Sequence, residues 1–236
     1  MISTLPLRTD YRDRTIPSVT LALIVVNTIV FLYEVLLGDR LDGFIATYAT
    51  VPCEVLATCP LPAGVTPSAP YWSLFTSMFL HGGWMHLIGN MLYLWVFGQN
   101  VEDAFGHVYY LVFYLVCGVA ANLAEIAMAP ASSTPGLGAS GAIAGLLGAY
   151  VFLFPLANVR TLVRVGFLFF LPRIPAVVLL GLWFLLQFFS ELGSLGASTE
   201  TGGVAYSAHV GGFLVGLAWA WLWRTRHVAT ALAEQS

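Results

Sequence analysis

The chain has 236 residues, 58% of them hydrophobic and 9% charged, with a formal charge of -3 and a mean hydropathy of +0.83. That balance excludes an ordinary soluble domain and points to a membrane protein without a basic surface for nucleic acid. All nine cations are arginine, so Ser-Lys dyads, lysine Schiff bases and P-loop chemistry are excluded as well.

The elements in chain order begin with residues 1–17, an N-terminal segment carrying Arg8, Arg12 and Arg14. Crossing about 30 Å of hydrocarbon takes about 20 apolar residues. Six stretches meet that need: 18–37, 74–97, 105–128, 138–155, 174–191 and 205–223. The first is too long for a signal-peptide core and lacks an A-x-A site, so it is expected to stay as a helix. A long loop, 38–73, follows; Cys53 and Cys59 lie close together in it, and the sequence leaves their pairing open. The second stretch opens on the polar "HGGWMH", so its helix is expected to begin nearer Trp84, and it ends at "GQNVED". Between the fourth and fifth, "RTLVRVGFLFFLPRIP" is apolar but interrupted by Arg160, Arg164, Pro172 and Arg173. It reads as a short interfacial segment rather than a seventh span. The architecture expected is an all-α, six-helix bundle over 18–224, with a tail at 225–236 and both termini cytoplasmic. Eight of the nine arginines then lie inside and only Arg40 outside, which is the positive-inside distribution.

Polar groups inside spans are expensive and mark functional candidates. His81, His86, Asn90, Ser140 and His209 are such groups, with Glu125 and Glu191 nearer span ends. The second, fourth and sixth spans run in one direction, and His86 with Asn90, Ser140 and His209 each lie near the start of one of them. They converge at one level of the bundle, toward the outer face. The competing reading is a set of unrelated interhelical hydrogen bonds.

Serine attacks a carbonyl only when a base takes its proton, and imidazole within about 3 Å is the usual base. Such closeness needs small residues between helices. Gly138, Gly141, Gly145 and Gly148 surround Ser140, and Gly211, Gly212 and Gly216 follow His209, so Gly141-x-x-x-Gly145 and Gly212-x-x-x-Gly216 form small-xxx-small faces. On this reading Gly141 faces the sixth span. His86 and Asn90, at i and i+4, share a helix face. Their N–H groups, with the Ser140 amide, would hold an oxyanion. His81 is assigned a hydrogen bond in the loop rather than a catalytic part.

Other chemistries fail on spacing. HExxH is absent, and His81 and His86 have no Glu between them, so no metal site is expected. The hydrolase elbow G-x-S-x-G is displaced by one residue around Ser140. No Asp lies in a span core to orient His209, which favours a dyad over a triad.

The stretches "FLHGGWMHLIGNMLYLWVFGQNVED", "GASGAIAGLLGAY" and "AHVGGFLVG", in this order, resemble the rhomboid family of intramembrane serine proteases, and "IPAVVLLGLWFLLQFFS" resembles its fifth helix. The resemblance runs from about Thr15 to Arg224. It implies Ser140 as nucleophile, His209 as base, His86 and Asn90 as oxyanion-hole side chains, and Glu102 as a helix-tethering acid. It implies transmembrane protein substrates cut near the outer membrane face, with small residues before the scissile bond, and neither cofactor nor metal. Two departures stand out: Trp72 is followed by Ser73 where some relatives have arginine, and Ala144 replaces an aromatic that stacks on the histidine. His209 then needs other positioning contacts. Trp183, Phe184, Phe188 and Phe189 offer a lateral gate for substrate. Rival readings are an inactive rhomboid-like client binder and a small transporter. The absence of lysine and the short tails fit a prokaryotic plasma membrane, with an organellar membrane as the alternative.

Overall fold

The computed structural model describes residues 2–10, 15–66, 69–194 and 206–233. Its elements are β1 (Ile2–Thr9), α1 (Ser18–Leu37), α2 (Leu41–Tyr48), α3 (Pro52–Val55), α4 (Ala69–Thr76), α5 (Trp84–Phe105), α6 (His107–Met128), α7 (Ser140–Leu153), β2 (Asn158–Val165), β3 (Leu168–Phe170), β4 (Arg173–Pro175), α8 (Ala176–Ser194) and α9 (Tyr206–Ala233). Among the described residues two stretches, Ser18–Tyr48 and His107–Met128, are long and apolar enough to cross a membrane, while Ser140–Leu153 and Ala176–Phe189 are apolar but shorter. The helix of the second stretch begins at Trp84, with Gly83 at φ 153° just before it, and runs to Phe105, past the expected boundary at 97.

The centre of the molecule is α7, whose residues Gly141 to Tyr150 are all buried. It packs most closely on α9, and α6 and α5 close the remaining sides. The packing is backbone on backbone. A side chain at Gly212 would run into the Gly141 carbonyl, one at Gly216 into the Gly145 carbonyl, and one at Gly148 into the Phe213 carbonyl. Where lipid supplies no hydrophobic drive between helices, such close approach supplies the contact area instead. The expectation that Gly141 faces the sixth span needs correction. Its carbonyl does, but a Cβ there would lie 2.6 Å from Ala121 Cβ of α6. Gly145 similarly faces Cys117 of α6, with Cβ–Cβ at 2.5 Å, and reaches the Gly212 carbonyl at 3.1 Å.

α1 buries Thr20, Leu23, Asn27, Phe31, Glu34 and Leu37, a single stripe at helical spacing, and leaves Val25, Ile29 and Leu36 exposed. Buried carboxylates fasten it at both ends. Glu102 of α5 accepts the backbone N–H groups of Val19 and Thr20, each at 2.8 Å, and the Thr20 hydroxyl at 2.7 Å. It therefore satisfies donors that a helix start leaves orphaned. At the other end Glu34 accepts the backbone N–H of His81 at 3.2 and 3.3 Å, fixing the turn that leads into α5.

The all-α expectation is corrected by a small antiparallel sheet. β1 pairs with β2, and β2 pairs with both β3 and β4. The stretch read as a half-buried interfacial segment thus folds as strands, because Val159, Thr161, Val163 and Val165 are β-branched and alternate with other side chains. Thr9 binds Asn100 of α5 through its hydroxyl at 2.8 Å, which places the sheet at the Glu102 end of the bundle. α9 continues to Ala233, past the expected boundary at 223.

At the opposite end the loop between α1 and α5 is built from α2, α3 and α4. Cys53 and Cys59 form a disulfide, with Cα atoms 5.4 Å apart. The loop docks on the connection between α6 and α7 through Thr50 and Gly136, whose amides and carbonyls exchange bonds of 2.9 and 2.7 Å. Thr50 Oγ1 donates to the Ser73 carbonyl at 2.9 Å, and Asn122 of α6 donates to the Leu74 carbonyl and to Ser77 Oγ at 2.9 Å. This buried network braces the segment where Ser73 stands in place of an arginine.

Candidate active site

Four helices deliver the site. Ser140 is the first residue of α7, and its hydroxyl lies 2.8 Å from Nε2 of His209 on the first turn of α9. The glycine contacts between α7 and α9 set that distance. Any side chain at Gly212 would push the two backbones apart one turn below the pair.

The tautomer of His209 follows from its other nitrogen. Nδ1 lies 2.9 Å from Oε1 of Gln187 on α8. An amide oxygen only accepts, so Nδ1 carries the hydrogen, and in a neutral imidazole Nε2 is left with its lone pair facing the Ser140 hydroxyl. The Trp183 ring lies 5.8 Å from the His209 ring, tilted by 39°. Trp183 and Gln187, both on α8, are thus two contacts that position the His209 ring.

His86 and Asn90 come from α5. The backbone N–H of Gly82 donates to Nδ1 of His86 at 3.3 Å, which puts the hydrogen of a neutral ring on Nε2. That nitrogen lies 2.8 Å from where a Cβ at Gly138 would sit, and Asn90 Nδ2 lies 3.7 Å from the same point. Gly138 has φ of +124°, a conformation that only glycine adopts easily. The turn before Ser140 therefore passes directly against two side-chain donors. Asn90 Nδ2 is buried and has no hydrogen-bond partner among the described residues, an arrangement that natural interiors rarely tolerate without a function. The Ser140 amide belongs to the first turn of α7, where N–H groups lack intrahelical acceptors. A small space thus has the hydroxyl, an imidazole N–H, an amide N–H and a helix start around it.

The remaining sequence candidates lie nearby or elsewhere. His81 is buried at 4% exposure. Its backbone N–H donates to Glu34 of α1 rather than to a loop residue, which differs from the loop hydrogen bond expected of it. The ring stands edge-on to His86 at 5.2 Å. Glu125 of α6 accepts the Ser207 hydroxyl and, at 3.3 Å, the Ala208 N–H, so it caps the start of α9 beside His209. The side chain of Glu191 lies outside the described residues. The aromatic face of α8 divides. Phe184 stacks on Phe213 of α9 at 4.5 Å, whereas Phe188 and Phe189 are exposed.

Sequence reasoning missed Glu34 and Gln187. Both carried a signal, a lone carboxylate and a lone amide inside stretches otherwise apolar enough to be spans.

The profile of the Rhomboid domain matches residues 68–226. The chain is 30% identical over 153 residues to Rhomboid protein 1, mitochondrial, of Saccharomyces cerevisiae, covering 63% of this chain and 41% of that protein. It is 32% identical over 162 residues to Rhomboid-like protein 11, chloroplastic, of Arabidopsis thaliana, covering 65% of this chain and 53% of that protein. Rhomboid protease GluP of Bacillus subtilis is 38% identical over 94 residues, 40% of this chain and 18% of that protein. The chain spans about half or less of the length of these relatives. With its mostly helical fold and a profile match over more than half its length, the chain belongs to the rhomboid family, whose members are integral to membranes. The relatives' names include mitochondrial and chloroplastic proteins, so they do not support the assignment to a prokaryotic plasma membrane.

Proposed function

We propose that the protein is an intramembrane serine endopeptidase, with Ser140 as nucleophile and His209 as general base. The observation that carries this is the 2.8 Å contact between Ser140 Oγ and His209 Nε2, which joins a hydroxyl and an imidazole from two separate helices. In this reading α1, α5, α6, α7, α8 and α9 are six spans of a domain over 18–224, with both termini cytoplasmic and the 38–73 loop outside. The starts of α5, α7 and α9 then face outward.

Water and a substrate segment that has left its helix meet at that face. Ser140 Oγ attacks the scissile carbonyl while His209 Nε2 takes the hydroxyl proton. The carbonyl π pair moves onto oxygen, which His86 Nε2–H, Asn90 Nδ2–H and the Ser140 amide hold. His209 then protonates the leaving amine, and water attacks the acyl-enzyme by the same proton shuttle. Glu102 tethers α5 to α1 below the site, and Gly138, Gly141, Gly145, Gly212 and Gly216 let the helices approach.

The test is cleavage of a single-span substrate in liposomes by the full chain and by Ser140→Ala and His209→Ala. Cleavage by wild type alone is the predicted result. Equal cleavage by Ser140→Ala would overturn the proposal, and a wild type that binds the substrate without cutting it would favour a client-binding role.

A further inference from the structure

Gln187 sits in a helix that is apolar from Ala176 to Phe189. A polar side chain in such a setting is expensive unless it has a partner, and its partner here is the Nδ1 of His209 at 2.9 Å. Trp183, one turn earlier on the same helix, lies against the same imidazole. α8 thus meets α9 at the base itself, through one hydrogen bond and one ring.

We propose that Gln187 is a positioning residue for the reaction above, holding His209 in the Nδ1–H tautomer so that Nε2 can take the Ser140 proton. The inference rests on the Ser140 and His209 reading. When the proton moves from Ser140 Oγ to Nε2, the ring becomes an imidazolium with two N–H groups. Gln187 Oε1 accepts Nδ1–H before and after the transfer and receives no proton. A neutral amide performs this orientation without placing a second charge in an apolar helix. It also makes the seating of α8 against α9 a condition of activity: when α8 moves away, the ring loses the contact that selects its tautomer.

The groups that bear on the imidazole from each packed element are few. α7 contributes Ser140, and α5 brings His86 against the Gly138 turn that precedes it. From α6 comes Glu125, engaged by Ser207 and Ala208, and from α8 come Gln187 and Trp183.

The experiment measures kcat, KM and the pH profile of the full chain in detergent micelles with a single-span substrate, for wild type, Ser140→Ala, Gln187→Leu and Gln187→Glu. Gln187→Leu should lower kcat by about 100-fold, the scale of a general base's contribution, with KM unchanged. Gln187→Glu keeps an acceptor and should recover most of kcat. Its carboxylate stabilises the imidazolium and moves the acid limb of kcat/KM to higher pH by roughly one unit or more. Wild-type kcat in Gln187→Leu would overturn the inference. So would equal losses in both variants with an unmoved acid limb, which is the signature of packing alone. If Gln187→Leu does not fold, the acid limb of Gln187→Glu decides. A wild type no more active than Ser140→Ala instead overturns the reading beneath, and this inference with it.

Discussion

Asn90 Nδ2 is a buried donor with no acceptor among the described residues, and leaving such a group unpaired costs about 1–3 kcal/mol. The proposed mechanism supplies the acceptor as the oxyanion, so the donor is satisfied only during the reaction. Asn90→Ala should therefore lower kcat by roughly 10²–10³ while leaving thermal stability equal to or above wild type. A kinetic assay paired with a melting curve checks both halves. Gly138→Ala should also abolish cleavage. A Cβ there falls 2.7 Å from His86 Cε1, and the backbone at φ +124° disfavours any side chain; the assay is the same, with a circular dichroism spectrum showing a retained helical fold. The residues of this site were largely legible in the sequence. Ser140, His209, His86 and Asn90 are polar groups where hydropathy gives no reason for them, and helix direction alone brings them to one level. Gln187 was not legible as a partner of His209, because only the rotation of α8 about its axis decides whether that amide faces lipid or the bundle.

At the scale of elements, the small residues of α7 and α9 announced a close helix pair, but the direction each glycine faces depends on the packing of three helices. Gly141 and Gly145 point toward α6 and offer their carbonyls to α9, while Gly212 and Gly216 point toward those carbonyls. Gly212→Val should separate α7 from α9, lengthen the Ser140–His209 contact and abolish activity, since the clash is with backbone that cannot move aside. Gly141→Leu should act through α6 instead, displacing Ala121. Cysteine pairs placed across α7 and α9 and across α6 and α7 would report which spacing each variant changes. Glu102 holds the start of α1 through three hydrogen bonds. Glu102→Ala should destabilise the fold by about 1–3 kcal/mol for each orphaned backbone donor, read as a lowered melting temperature, with kcat per folded molecule little changed because the site lies at the other end of α5.

Across the whole molecule, the order of helices was readable from hydropathy, whereas the sheet was not. β1 and β2 lie about 150 residues apart and pair antiparallel from Ile2 with Val165 to Thr9 with Val159, with a register shift between Pro6 and Arg8. No local pattern announces so distant a partner. The pairing of Cys53 with Cys59 likewise required the loop to be folded. Closing so short a loop stabilises by about 2 kcal/mol, so Cys53→Ser with Cys59→Ser should lower the melting temperature while sparing turnover. The central claim, that Ser140 is the nucleophile, is tested most directly by treating the membrane-embedded chain with a fluorophosphonate and locating the adduct by mass spectrometry. The account predicts one adduct, on the peptide carrying Ser140, lost in His209→Ala and absent in Ser140→Ala. An adduct on another residue, or labelling that persists in Ser140→Ala, would contradict it.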